Sequence, residues 1–213
     1  MTAVKICGIT NLKDARAAAR AGADILGFVF ANSPRRISPQ KAKEIISKLP
    51  KKLKKAGVFV NETPCTVNGV LEYCGIDIAQ LHGDESPAYC RKINAKVIKA
   101  FRPRSAADIR KIGRYCVDAV LIDAHVKGKL GGTGKRADWK LASLAGKYGM
   151  PVILSGGLTP DNLEEAIGSV GPHGVDICSG TEVRPGKKDV RMIRKAVAIA
   201  KSKSISQVRR KKK

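Results

Sequence analysis

The sequence predicts an α/β chain whose parallel strands close into a (β/α)8 barrel, one domain spanning residues 1–200. Three observations carry this reading. Short apolar runs, many of them β-branched, alternate eight times with amphipathic segments. The runs are almost continuously apolar, as parallel strands buried on both faces must be. A repeat of about 25 residues and a closing helix suit a barrel better than a doubly wound open sheet.

The strands are predicted at AVKIC (3–7), DILGFVF (24–30), AGVFV (56–60), IAQLH (78–82), KVIKAF (96–101), AVLID (119–123), PVILS (151–155) and GVDICS (174–179). Each is followed by a helical pattern, from NLKDARAAARAG after the first to KKDVRMIRKAVAIAKS after the last. Six of these segments open on a side chain that can cap a helix: Asn11, Ser38, Thr63, Ser86, Ser105 and Thr159. Proline follows the cap at positions 39, 64, 87 and 160, where the first turn tolerates a missing N–H.

The 213 residues are 43% hydrophobic but only 4% aromatic, so Ile, Val, Leu and Ala fill the core. No run approaches the ~18 apolar residues of a membrane helix, and the chain enters its first strand without a basic-then-apolar leader. The expectation is a soluble, cytoplasmic protein with no membrane partner. Cys7, Cys65, Cys74, Cys90, Cys116 and Cys178 show no C-x-x-C spacing and no nearby paired His, which argues against zinc and for free thiols. Net charge is +23, and residues 201–213 form a basic tail, expected to be disordered, with seven Lys/Arg and no acid. A field of that sign attracts phosphate-bearing ligands. The basic runs lack interleaved aromatics on which bases could stack, so nothing beyond weak, nonspecific nucleic-acid binding by the tail is expected.

Barrel active sites form where strands end and lead into helices. The strand ends here carry Cys7, then Ser33 and Arg35, Asn61, His82, Asp123, Ser155-Gly156-Gly157 and Cys178-Ser179-Gly180. The two glycine turns follow the seventh and eighth strands, the recurrent phosphate site of this fold, where backbone N–H groups can approach an anion closely. Asp123 closes an apolar run ahead of a loop over 124–137 whose length and glycines mark it as a candidate lid. A cap or a lysine partner would explain Asp123, but its place at a strand end favours acid/base work, and burial would raise its pKa toward that of a useful acid. For Cys7 the residues leave packing and reactivity evenly matched. Burial is the default for cysteine, whereas Lys5, on the same side of the strand, and the positive field could stabilise a thiolate. Of Arg35 and Arg36, one is ordinary surface charge and the other could clamp a carboxylate. His82 is read as lining the site, and Trp139 as a packing anchor.

KICGIT, GADILGFVF, SPRRIS, AGVFVN, QLHGDE, LIDA followed by GGTGKRADW, LSGGL and GVDICSGTE together resemble the phosphoribosylanthranilate isomerase family, in the same order along residues 3 to about 200. The resemblance implies a TIM barrel that catalyses an Amadori rearrangement in tryptophan biosynthesis without metal or organic cofactor. It implies Cys7 as general base and Asp123 as general acid. It further implies Arg35 at the anthranilate carboxylate, and the phosphate on the backbone of Gly156, Gly157, Ser179 and Gly180. Cys178 departs from it, standing where the family commonly has serine. Family members are monomers or homodimers. Two rival readings are a histidine-pathway or bifunctional aminoaldose isomerase, which the strand-one cysteine opposes, and a basic nucleic-acid-binding protein on a barrel scaffold.

Overall fold

A computed structural model describes residues 1–123 and 139–202. The candidate lid over 124–137 and all of the basic tail beyond residue 202 lie outside the described residues. Eight strands, β1 (Ala3–Cys7), β2 (Ile25–Val29), β3 (Lys54–Phe59), β4 (Ile78–Leu81), β5 (Lys96–Phe101), β6 (Ala119–Asp123), β7 (Val152–Ser155) and β8 (Gly174–Ile177), close in chain order into a barrel. Every pairing is parallel, and the ring closes with Ala3, Val4, Lys5 and Ile6 in register with Gly174, Val175, Asp176 and Ile177. This is the predicted TIM barrel.

The helices are α1 (Leu12–Ala21), α2 (Pro39–Ile46), α3 (Pro64–Cys74), α4 (Pro87–Cys90), α5 (Ala106–Arg110), α6 (Trp139–Leu144), α7 (Leu163–Val170) and α8 (Val190–Lys201). Asn11, Ser38, Thr63, Ser86 and Ser105 each accept a hydrogen bond from the backbone N–H three residues on, as predicted. Thr159 does not cap. Its N–H donates to Asn162 Oδ1 at 2.9 Å, and Asn162 Nδ2 donates to the Gly157 carbonyl at 3.0 Å, so 157–162 folds as a side-chain-bonded turn and α7 starts later. Helices α4, α5 and α6 are short, and 3-10 turns at Lys111–Arg114 and Ala145–Tyr148 extend the last two. Helix α8 runs one residue past the boundary set at 200, where Lys201 Nζ meets both Asp24 carboxylate oxygens at 2.8 and 2.7 Å.

Alternation along the strands builds two cores. Outward-facing residues such as Val4, Ile6, Leu26, Leu81, Ile122 and Leu154 pack against the helices. Inward-facing Ala56, Ile78, Ile98, Ala100, Ala119, Leu121 and Ile153 fill the lower barrel. Above them Cys7, Val29 and Val58 form a smaller layer, with Ala31 and Cys178 against it. A short hairpin, β9 (Glu182–Arg184) and β10 (Lys187–Lys188), follows β8 and has no counterpart in the sequence reading.

Candidate active site

Cys7 ends β1 facing the barrel interior and is 6% exposed. Two positions below it on the same face would normally be apolar, yet Lys5 stands there, with Nζ 2.9 Å from Asp176 Oδ1, both side chains buried. Gly27 opposite Cys7 keeps this corner open: a Cβ there would fall 2.7 Å from Cys7 Sγ and 3.1 Å from Lys5 Cε. The Cys7 thiol is held down to about 6 by a hydrogen bond from Cys178 and by the Lys5 ammonium, which together overcome the opposing effect of burial. Both neighbours thus favour the ionised form of the sulfur.

Asp123 ends β6, three strands from β1 around the ring, with β7 and β8 between. Its Oδ2 lies 3.6 Å from His82 Nε2 and 3.7 Å from Arg102 Nε. His82 Nδ1 is 3.1 Å from Gln80 Nε2. Gln80 and Arg102 were not singled out in the sequence. The period-2 rule places Gln80 on the His82 face of β4 and could have found it.

Arg35 reaches the same rim, its stem crossing Gly8. Gly8 has φ +78, and a Cβ there would lie 2.7 Å from Arg35 Cδ. Glu182 fixes the guanidinium with contacts of 2.9 and 3.0 Å to Nε and 2.6 Å to Nη2, leaving the Nη1 donors outside this fork. Glu182 also meets buried Lys188 Nζ at 3.1 Å. Arg36 is exposed and borders a separate cavity of about 430 Å³ lined by Phe30, Phe59 and Val70. Of the two arginines, therefore, Arg35 faces the rim.

The two glycine turns meet. Gly156 and Gly157 take φ values of +97 and +65, which leave consecutive N–H groups able to converge on an anion. Gly180 packs so closely on the 158–159 backbone that a Cβ would overlap the Leu158 carbonyl. Ser179 and Gly157 are exposed beside it. Cys7, Arg35, His82, Asp123 and the two glycine turns lie at or just beyond the C-terminal ends of the strands, and the glycine loops sit on the two strands between Cys7 and Asp123. Among the described residues no group of three His, Cys, Asp or Glu stands close enough to hold a metal ion, and no helix is long and apolar enough to cross a membrane.

The fold and this rim define a (β/α)8-barrel enzyme. The family model for N-(5'-phosphoribosyl)anthranilate isomerase matches residues 4–199. The N-(5'-phosphoribosyl)anthranilate isomerase of Citrifermentans bemidjiense is 48% identical over 202 residues, 94% of this chain and 98% of that protein. The phosphoribosyl anthranilate isomerase structure from Thermotoga maritima superposes with a TM-score of 0.87 at 40% identity, covering 94% of this chain and 99% of that one. A further structure, at TM-score 0.84 and 39% identity over 94% and 99% of the two chains, is of such an isomerase in complex with reduced 1-(o-carboxyphenylamino)-1-deoxyribulose 5-phosphate. The chain belongs to the N-(5'-phosphoribosyl)anthranilate isomerase family.

Proposed function

We propose that this isomerase carries out the Amadori rearrangement of N-(5-phosphoribosyl)anthranilate in tryptophan biosynthesis, with Cys7 as general base and Asp123 as general acid. The observation that carries the assignment is the buried Lys5–Asp176 pair beneath Cys7, with Cys178 packed beside it, which favours a thiolate on β1. Asp123 donates a proton to the ribose ring oxygen, and the C1–O bond breaks to give a Schiff base. The Cys7 thiolate then removes the proton from C2, leaving an enolamine. Its tautomerisation to the ketone places a proton on C1 and completes the isomerisation, with no net gain or loss of atoms.

The backbone of Gly156, Gly157, Ser179 and Gly180 receives the phosphate, and the open edge of Arg35 receives the anthranilate carboxylate. His82 lines the site beside Asp123. The complex of the related isomerase with a reduced carboxyphenylamino-deoxyribulose phosphate supports a phosphorylated small-molecule ligand here. A cytoplasmic location goes with this role.

The test follows the fluorescence decay of the substrate, generated in situ, with the unaltered chain, Cys7→Ser and Asp123→Asn. Rapid decay, lost by several orders of magnitude in both variants, is the expected result. Decay unchanged in either variant would remove that residue from its role.

A further inference from the structure

Cys178 is a half-buried nucleophilic group that the reaction above does not use. The β1–β8 register pairs residues 4, 5 and 6 with 175, 176 and 177, and Cys178, the next residue, packs against the layer formed by Cys7, Val29 and Val58. The chain leaves the strand there, with φ −114 and ψ −87, and turns at once into the 3-10 segment Ser179–Thr181. Two bonds hold that corner: buried Lys188 Nζ donates to the Cys178 carbonyl at 2.9 Å, and Thr181 Oγ1 donates to the same oxygen at 3.0 Å. Gly8 removes the remaining obstacle, since a Cβ at that position would stand 3.0 Å from Cys178 Sγ. The thiol is therefore packed on Cys7 by a fixed backbone and a missing side chain.

We propose that Cys178 is a positioning residue for the reaction, its S–H donating to the Cys7 sulfur so that one lone pair of the base is tied down and another is aimed into the barrel mouth. An S–H is a weak donor to neutral acceptors but a stronger one to an anion. The pair divides its charge unequally: Cys7 ionises early, while the adjacent thiolate and burial hold the Cys178 proton in place far above the usual thiol range. Lys5 attracts the same sulfur from below, so the thiolate is gripped from two directions. A hydroxyl at 178 could make the same donation. An alkyl group could not.

The proposal rests on Cys7 being the base, and its test separates the two. Full-length protein carrying Cys178→Ala or Cys178→Ser is treated with iodoacetamide between pH 4.5 and 9.5, and labelling of the Cys7 peptide is followed by mass spectrometry. In the unaltered chain labelling should rise with a midpoint near pH 6. In Cys178→Ala the midpoint should move up by at least one unit, cutting labelling at pH 6 about fivefold, because less thiolate is present. Cys178→Ser should return most of the way to the original profile. The acid limb of kcat/KM should shift in parallel, with KM little changed. A merely structural role would raise KM, through the adjoining phosphate loop, and leave the limb in place. Superimposable labelling profiles for Ala and unaltered protein would overturn the proposal, as would equal displacement in Ala and Ser. Should the Ala variant fail to fold by circular dichroism, Cys178→Val and Cys178→Thr give the same alkyl-against-hydroxyl comparison. Full turnover by Cys7→Ala would instead sink the base assignment, with the labelling comparison still readable on its own.

Discussion

Lys5 and Asp176 form an ion pair of 2.9 Å inside the barrel, the ammonium 1% exposed and the carboxylate 5%. The pair joins β1 to β8, the strands at which the barrel closes, beneath the Cys7 sulfur. Asp176 keeps Lys5 charged despite burial, holding its pKa well above the ordinary lysine value, and Lys5 in turn favours the thiolate. Lys5→Met should cost about 3–5 kcal/mol of stability, because it strands a buried carboxylate. The same change should slow Cys7 alkylation at pH 7. Urea unfolding and labelling rates measure the two effects separately.

The pH dependence follows from Cys7. Its pKa falls from an ordinary 9.0 to about 6 in the folded chain, so the acid limb of kcat/KM should have its midpoint near pH 6 and drop tenfold per unit well below it. Folding carries the same signature. Between pH 6 and 9 the unfolded chain binds a proton that the folded chain does not, so stability gains roughly 1 kcal/mol per unit as pH rises and levels off above 9. This contribution is lost as pH falls through 6. Comparing urea midpoints of the unaltered chain and Cys7→Ala across that window isolates it.

Glu182→Gln should weaken the grip on Arg35. A neutral amide cannot match the charged fork on Nε and Nη2, and Arg35 should lose its fixed approach to a substrate carboxylate. KM should rise about tenfold, equivalent to ~1.4 kcal/mol, with a smaller change in kcat. A steady-state comparison showing the reverse split would remove Arg35 from substrate binding.

Gly180→Ala should push apart the loops after β7 and β8, because the added carbon overlaps the Leu158 carbonyl. Overpacking of this kind costs about 1–3 kcal/mol. The diagnostic readout is inhibition by inorganic phosphate, which should weaken together with substrate binding, while Cys7 labelling stays unchanged.

The strands, five of the helix caps and the rim position of the candidate site were legible because each is written locally, in apolar alternation or in a polar residue ahead of a helix. Even Asp176 was within reach: it interrupts the apolar run GVDICS on the same alternation face as Cys178. Glu182 was not. It stands in the quoted stretch GVDICSGTE, yet its partner Arg35 lies 147 residues away, and only ring closure joins them. The hairpin β9–β10, which carries Lys188 to Glu182, lacks a hydrophobic pattern of its own. Thr159 misled for a physical reason, since Asn162 offered the loop a competing side-chain bond. Lys99 was likewise hidden. It faces outward between Ile98 and Ala100 and is buried against Glu85 at 3.0 Å, where Glu85 also accepts from the N–H groups of Asn61 and Gly83.

Ring closure also sets a timetable for synthesis. Cys7 leaves the ribosome well before the neighbours that tune it, since Asp176 and Cys178 are some 170 positions later. At roughly 5–20 residues per second the thiol waits on the order of ten seconds or more in an incomplete sheet. The proposed base is therefore made long before it becomes competent, so a nascent chain that stops short of β8 should carry an ordinary cysteine.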